Sequence, residues 1–324
     1  MTIEKSDPLP FQTVPSQSLE VVSSETNPPW RDYIDPSGLR DLAIAHDPDA
    51  RTLTCSFTHA RNANVTEPLV DEFLTIFSGL RKSKAIARPE GEEFWFRYYL
   101  FKSMKQSIFS FGGDLEMFVN CINTGDREKL AAYATACILA CHDTYQNFEL
   151  PIITVCLVSG DALGGGLECA LACDFLVAEE GSMMGLPEVL FGMFPGMGAY
   201  SFLRRKIGQQ KTEDMIFGGA LYKAEELFEW GIVDVLAKKG QGEEELQAFL
   251  KRMDKKYNTY RSVVEARKRS FALDQSEMMD IVGHWVDSAF KVSRSDIRKM
   301  QRLSQMQKKR VAEESNGLLA AEGS

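Results

Sequence analysis

The chain is poor in histidine, with four among 324 residues, and no two of its cysteines stand at CxxC spacing. Zinc sites need clustered His and Cys ligands, so a metal centre finds no support in the sequence. The seven cysteines (Cys55, Cys121, Cys137, Cys141, Cys156, Cys169, Cys173) are odd in number and read as reduced core residues rather than a disulfide framework. No apolar run is long enough to span a bilayer, and no N-terminal stretch has the order of a secretory leader. The expectation is a cytoplasmic protein without membrane contact. Positive charge is also in deficit, 37 Lys and Arg against 46 Asp and Glu, so nucleic acid is not an expected partner.

What the chain does have is apolar material, 44% of its residues, enough for a sizeable core. Six of the 12 prolines fall within the first 36 residues, which predicts a mobile tail over 1–35. Strand composition marks "TLTCSFTH" from Thr52, "EFWFRYYLF" from Glu93, "QSIFSF" from Gln106, "PIITVCLVSG" from Pro151, "DFLVAEE" from Asp174 and "GIVDVLA" from Gly231. Helical spacing marks Pro68 to Gly79 and Asp126 to Phe148, the second with Leu130, Ala134, Cys137, Cys141 and Tyr145 on one stripe. Strands alternating with helices predict a layered α/β core with parallel strands over 36–240. Beyond it, 241–311 reads as a helical region. One of its helices carries Met278, Val282, Trp285, Val286 and Ala289 on one face, after a capping-box-like Asp274 and Glu277. Residues 312–324 read as a flexible tail.

Glycine-rich turns follow two of the strands: Gly112–Gly113 and Gly164–Gly165–Gly166. Neither fits GxGxxG, and no GK[ST] follows for a phosphate loop. Ser159, His142 and Asp143 lie near one another in sequence but lack a GxSxG elbow, and His142, late in an amphipathic helix, reads as a structural histidine. A third use is open to the glycines, since backbone N–H groups at a helix start carry partial positive charge and can stabilise a developing oxyanion. Glu168, just after the triplet, and Glu188, 20 residues on, could supply an acid and a base. The same two residues could equally be a first-turn carboxylate and a loop ion pair.

The stretch "VSGDALGGGLECALACDFLVAEEGSMMGLPEVLFGMFPGMGAY" resembles the signature region of the crotonase (enoyl-CoA hydratase/isomerase) superfamily, and "FSFGGDLEMF" resembles its earlier oxyanion block. The resemblance implies a crotonase-like spiral fold of repeated ββα units with a helical C-terminal region. It implies catalytic roles for Glu168 and Glu188 and oxyanion donors at Gly113 and Gly165, with Gly112 as the alternative to Gly113. Within the superfamily the chain is most similar to the diffusible signal factor (DSF) synthases of the RpfF type, on "FWFRYYLF", the segment from Ala178 to Leu203 and the helical C-terminus. That group implies dehydration of a 3-hydroxyacyl thioester of acyl-carrier protein to a cis-2-enoyl thioester, followed by its hydrolysis to a signalling fatty acid. No cofactor is implied. Trp285 and Leu303 would line the acyl channel, although Trp285 also fits plain core packing. A receiver domain of a sensor kinase as partner and a trimeric or hexameric assembly are further implications. An enoyl-CoA hydratase/isomerase of fatty-acid degradation, or a non-catalytic crotonase-fold protein, is the alternative reading.

Overall fold

The computed structural model describes residues 20–21, 32–59, 62–83, 86–87 and 96–322, with the backbone alone for 20–21, 86–87 and 315–322. Most of the expected tail over 1–35 lies outside these residues. Glu20–Val21 (β1), however, is a short strand, and Ile34 is buried in the core. Strands β2 (Leu42–Asp47) and β3 (Thr52–Phe57) form an antiparallel pair. Helix α1 (Glu67–Lys82) starts at Thr66, whose hydroxyl accepts the Leu69 N–H, and buries Leu69, Val70, Phe73, Ile76, Phe77 and Leu80. Then come β4 (Ile86–Ala87), parallel to β1, and β5 (Tyr98–Ser103). The "EFWFRYYLF" strand is thus observed from Tyr98 onward, its first residues, Glu93 to Trp95, being outside the described set.

Three successive units follow. In the first, β6 (Ile108–Ser110) leads through Gly112–Gly113 to α2 (Leu115–Thr124) and α3 (Arg127–Tyr145). In the second, β7 (Ile153–Val158) and β8 (Asp161–Leu163) lead into α4 (Gly165–Leu171). In the third, β9 (Phe175–Glu179) and β10 (Met183–Gly185) lead to a 3-10 turn at Pro187–Phe191, then α5 (Ala199–Ile207) and α6 (Gln209–Gly218). The chain closes the sheets with β11 (Leu221–Lys223), α7 (Ala224–Glu229) and β12 (Val235–Ala237). Four helices complete it: α8 (Gly242–Asp254), α9 (Tyr257–Ser270), α10 (Gln275–Ala289) and α11 (Arg294–Glu322).

Among the described residues the large sheet runs β12-β9-β7-β5-β3-β2, parallel except for β2, and a smaller one runs β11-β10-β8-β6. Alternation of side chains along the strands explains why both faces of the large sheet are covered. Leu100, Val155, Leu157 and Val177 point to Leu246, Phe249, Leu250 and Met253 of α8. Tyr99, Phe101, Cys156 and Val158 join the larger cluster with α1, α3 and α4. Each side chain of this size contributes roughly 1.5–3 kcal/mol when fully buried.

Two expectations are sharpened or corrected. The segment from 312, expected as a flexible tail, is helical as far as Glu322, the end of α11; the Ala, Glu and Leu content favours helix, and Val311 is buried while Glu314 accepts Ser107 N at 3.0 Å. Glu277 does not close a capping box on Asp274. Its carboxylate instead accepts Ser201 Oγ at 2.6 Å and Arg205 Nη1 and Nη2 at 2.9 Å, tying α10 to α5.

Candidate active site

Because β6, β8 and β10 are adjacent and parallel, the segments leaving their C-terminal ends must lie side by side. These segments are Phe111–Asp114, Gly164–Glu168 and Pro187–Phe191. The first two touch backbone to backbone. Gly112 has φ +85°, and a methyl group there would sit 2.6 Å from Leu163 O and 2.8 Å from Gly165 N. Gly164 has φ +51°, and its missing side chain is where the Glu188 carboxylate lies. Only glycine meets both the dihedral and the contact at these positions. This is the physical reason for the glycine-rich turns.

Gly113 and Gly165 both line the resulting pocket, and the N–H of Gly164 between the two turns is taken by Gly185 O at 2.8 Å. Gly165 opens α4, so its N–H has no acceptor within the helix. The Gly113 N–H makes no hydrogen bond among the described residues, whereas that of Gly112 is taken by Ser110 Oγ at 3.2 Å. Gly112 is also absent from the lining. The geometry therefore favours Gly113 over Gly112 as a donor.

Glu168 and Glu188 line the same pocket. Glu168 is 1% exposed, and its Oε1 accepts the N–H groups of Met197 at 2.7 Å and Ala199 at 2.8 Å. Burial pushes its carboxyl up to about 7, and the two backbone donors pull in the opposite direction. Glu188 is half-buried as a residue, yet its Oε2 is shut off from solvent and unpartnered. Burial, and then the charge of Glu168, push it up to about 8. The charge of one disfavours the charge of the other, so the two carboxyls titrate as a pair. Glu168 is indeed a first-turn carboxylate of α4, but a buried one that lines the pocket, and Glu188 forms no ion pair among the described residues.

The pocket is a cavity of about 240 Å³ with mostly apolar walls. Trp285 and Leu303 both belong to it. Trp285 packs edge-on against Phe118 with ring centroids 5.2 Å apart and is 5% exposed, so it is at once core and pocket wall. Sequence reasoning missed Tyr133, Met193, Met197, Leu190 and Gln307 in the lining. Tyr133 was legible in principle, as a hydroxyl beside the apolar stripe of α3. Met197 and Gln307 carry no local signal.

Other candidates disperse. His142 Nε2 pairs with Leu273 O at 3.3 Å, Asp143 pairs with Arg81, and Ser159 lies in a separate polar cleft. Among the described residues no group of three or more His, Cys, Asp or Glu is placed to hold a metal ion, and no helix is long and apolar enough to cross a membrane. All seven cysteines are free thiols, and six are buried.

Comparison with known proteins gives the family and the fold. The family model described as enoyl-CoA hydratase/isomerase matches residues 96–305. The alpha subunit of the fatty acid oxidation complex of Aliivibrio fischeri is 36% identical over 136 residues, 41% of this chain. The match spans 19% of that subunit, about a fifth of its length. Among solved structures, an enoyl-CoA hydratase from Bacillus halodurans superposes with a TM-score of 0.65 at 19% identity, covering 82% of this chain and 100% of that one. Human mitochondrial delta3-delta2-enoyl-CoA isomerase gives 0.65 at 20% identity, covering 85% and 99%. At such identities the structural likeness establishes the crotonase fold alone.

Proposed function

The chain belongs to the enoyl-CoA hydratase/isomerase family, and from that premise we propose that it adds water across, or removes it from, the C2–C3 bond of an acyl thioester. The observation that carries this reading is the meeting, in one apolar pocket, of two buried carboxyls with two unengaged amide N–H groups. The thioester oxygen lies between the Gly113 and Gly165 N–H groups, which stabilise the enolate that forms when C3 is attacked. In hydration Glu168, whose charged form its two backbone donors favour against burial, takes a proton from water. Glu188 holds the other proton and delivers it to C2. Dehydration begins with the proton on Glu168 and runs these steps backwards.

Turnover of an enoyl-CoA, followed by loss of the conjugated thioester's ultraviolet absorbance, tests the reading. Glu168→Gln and Glu188→Gln should each lower kcat by roughly 10²- to 10⁴-fold, the usual worth of a positioned acid or base. Unchanged turnover in both variants would overturn the assignment.

A narrower reading has one observation of its own. Arg294, Arg298 and Arg302 stand one turn apart on the exposed side of α11, without ion pairs among the described residues, while Leu303 of the same helix lines the pocket. This cationic stripe suits a thioester delivered by an acidic acyl-carrier protein, as in the synthesis of DSF-type fatty acids. Hydrolysis then follows when water attacks the polarised carbonyl carbon. Charge reversal at the three arginines should raise KM for a 3-hydroxyacyl-carrier protein about tenfold, a change of about 1.4 kcal/mol, and spare the CoA ester. Free acid among the products distinguishes this reading from simple hydration.

A further inference from the structure

We infer that Asn64 and Gln307 are positioning residues that together aim the Gly113 N–H, so that α11, near the C-terminal end of the chain, completes the oxyanion site. The inference rests on the hydration reading for its catalytic consequence. Its structural content stands on hydrogen bonds alone.

In a trans peptide the C=O and N–H groups point in opposite directions, so whatever holds the Gly112 carbonyl fixes the direction of the Gly113 N–H. That carbonyl lies beyond the end of β6 and is not held by the strand ladder. It accepts Val65 N at 2.8 Å and Asn64 Nδ2 at 3.4 Å. Asn64 Nδ2 also reaches Gly113 O at 3.2 Å. An amide side chain can rotate, and its own partner decides which way it faces. Here the partner is Gln307: Asn64 Nδ2 donates to Gln307 Oε1 at 3.1 Å, and Gln307 Nε2 reaches back to Phe111 O at 3.4 Å. Tyr133 secures the other side, its hydroxyl donating to Val65 O at 2.5 Å.

Gln307 comes from a helix that straddles both oxyanion turns. Lys308 pairs with Glu116 at the start of α2, and Arg310 pairs with Asp161 of β8 at 2.6 Å. Asn64 and Gln307 are 243 positions apart in sequence and form a bridge across the first turn. Both are half-buried rather than core residues. Their amides reach the carbonyls of Phe111, Gly112 and Gly113, of which Gly112 also accepts Val65 N, and this gives the pair a job apart from packing.

The test is a double-mutant cycle on the full chain, with Asn64→Ala, Gln307→Ala and the pair, assayed on an enoyl-CoA. Each single change should lower kcat about 10- to 100-fold, the scale of a small misplacement of a catalytic group, with KM within threefold. The double variant should lose no more than the worse single one, as for two members of one unit. Losses that multiply, or that fall on KM, would overturn the inference. Amide hydrogen exchange over residues 112–116 supplies a readout free of substrate. Gln307→Ala should accelerate exchange there and leave β7 unchanged, and unaltered exchange would overturn the bridge. Should the wild type hydrate no enoyl thioester, the functional reading fails by itself while the exchange result still decides the bridge.

Discussion

At Glu168 and Glu188 the residue-level physics has a direct readout in pH. Hydration needs one of the pair ionised and the other protonated, so kcat/KM should peak between about 7 and about 8. Below that window both hold protons and no base remains; above it both are charged and no acid remains. The pair titrates as a unit, so the two limbs belong to the dyad. Stability follows the same carboxyls. The folded state raises Glu188 from an ordinary value of 4.5, so its neutral form is favoured by folding and that contribution is complete at low pH. It is lost as pH rises from about 4.5 to about 8. Relative to Glu188→Gln, the wild-type Tm should therefore fall across that range and then level off, and parallel melting curves at all pH values would contradict it. Gly112→Ala forces a side chain into Leu163 O at φ +85° and should cost about 1–3 kcal/mol in urea denaturation. Both glutamates and the glycine turns were legible as candidates in the sequence, because glycine beside carboxylate after a strand is a local pattern. Asn64 and Gln307 were not, since each acts through a partner from a distant part of the chain.

Single elements are held by contacts of different strength. Asp174, the last residue of the "CD" pair, is buried between β7 and α9 and accepts Thr154 N at 3.0 Å and Thr154 Oγ1 at 3.1 Å. Lys268 at 2.8 Å and Arg267 at 3.2 Å neutralise it. Removing one member of a buried pair strands the other, so Asp174→Ala should destabilise by about 3–5 kcal/mol, measurable as a lower urea midpoint. Trp285→Ala empties a side chain from between α10, α2 and the Gly196 turn and should cost about 3–5 kcal/mol. It should also shift preference toward bulkier acyl groups in competition assays. The α1, α3 and α10 stripes were readable because their apolar residues repeat at helical spacing. The helical course of α11 past 311 was not legible, because its polar, alanine-rich composition resembles a tail and its anchoring contact, Glu314 to Ser107 N, joins distant parts of the chain.

For the whole molecule, the alternation of strands and helices gave the layered architecture, and the family motifs gave the spiral. Strand order was beyond local pattern. Nothing in "QSIFSF" or "DALGGG" says that β6 and β8 leave the large sheet to pair with each other, yet that pairing brings the two turns together. The substrate's carrier is likewise a property of surface shape and charge rather than of any motif. The contact of Gly112 with Leu163 and Gly165 has a kinetic consequence. Neither turn alone offers two donors, and α2, α3 and β7 stand between them in the chain. Gln307 is added later still in the chain. On refolding from denaturant, recovery of turnover should therefore trail recovery of the helical circular dichroism signal, and the length of that lag would time the closing of these long-range contacts.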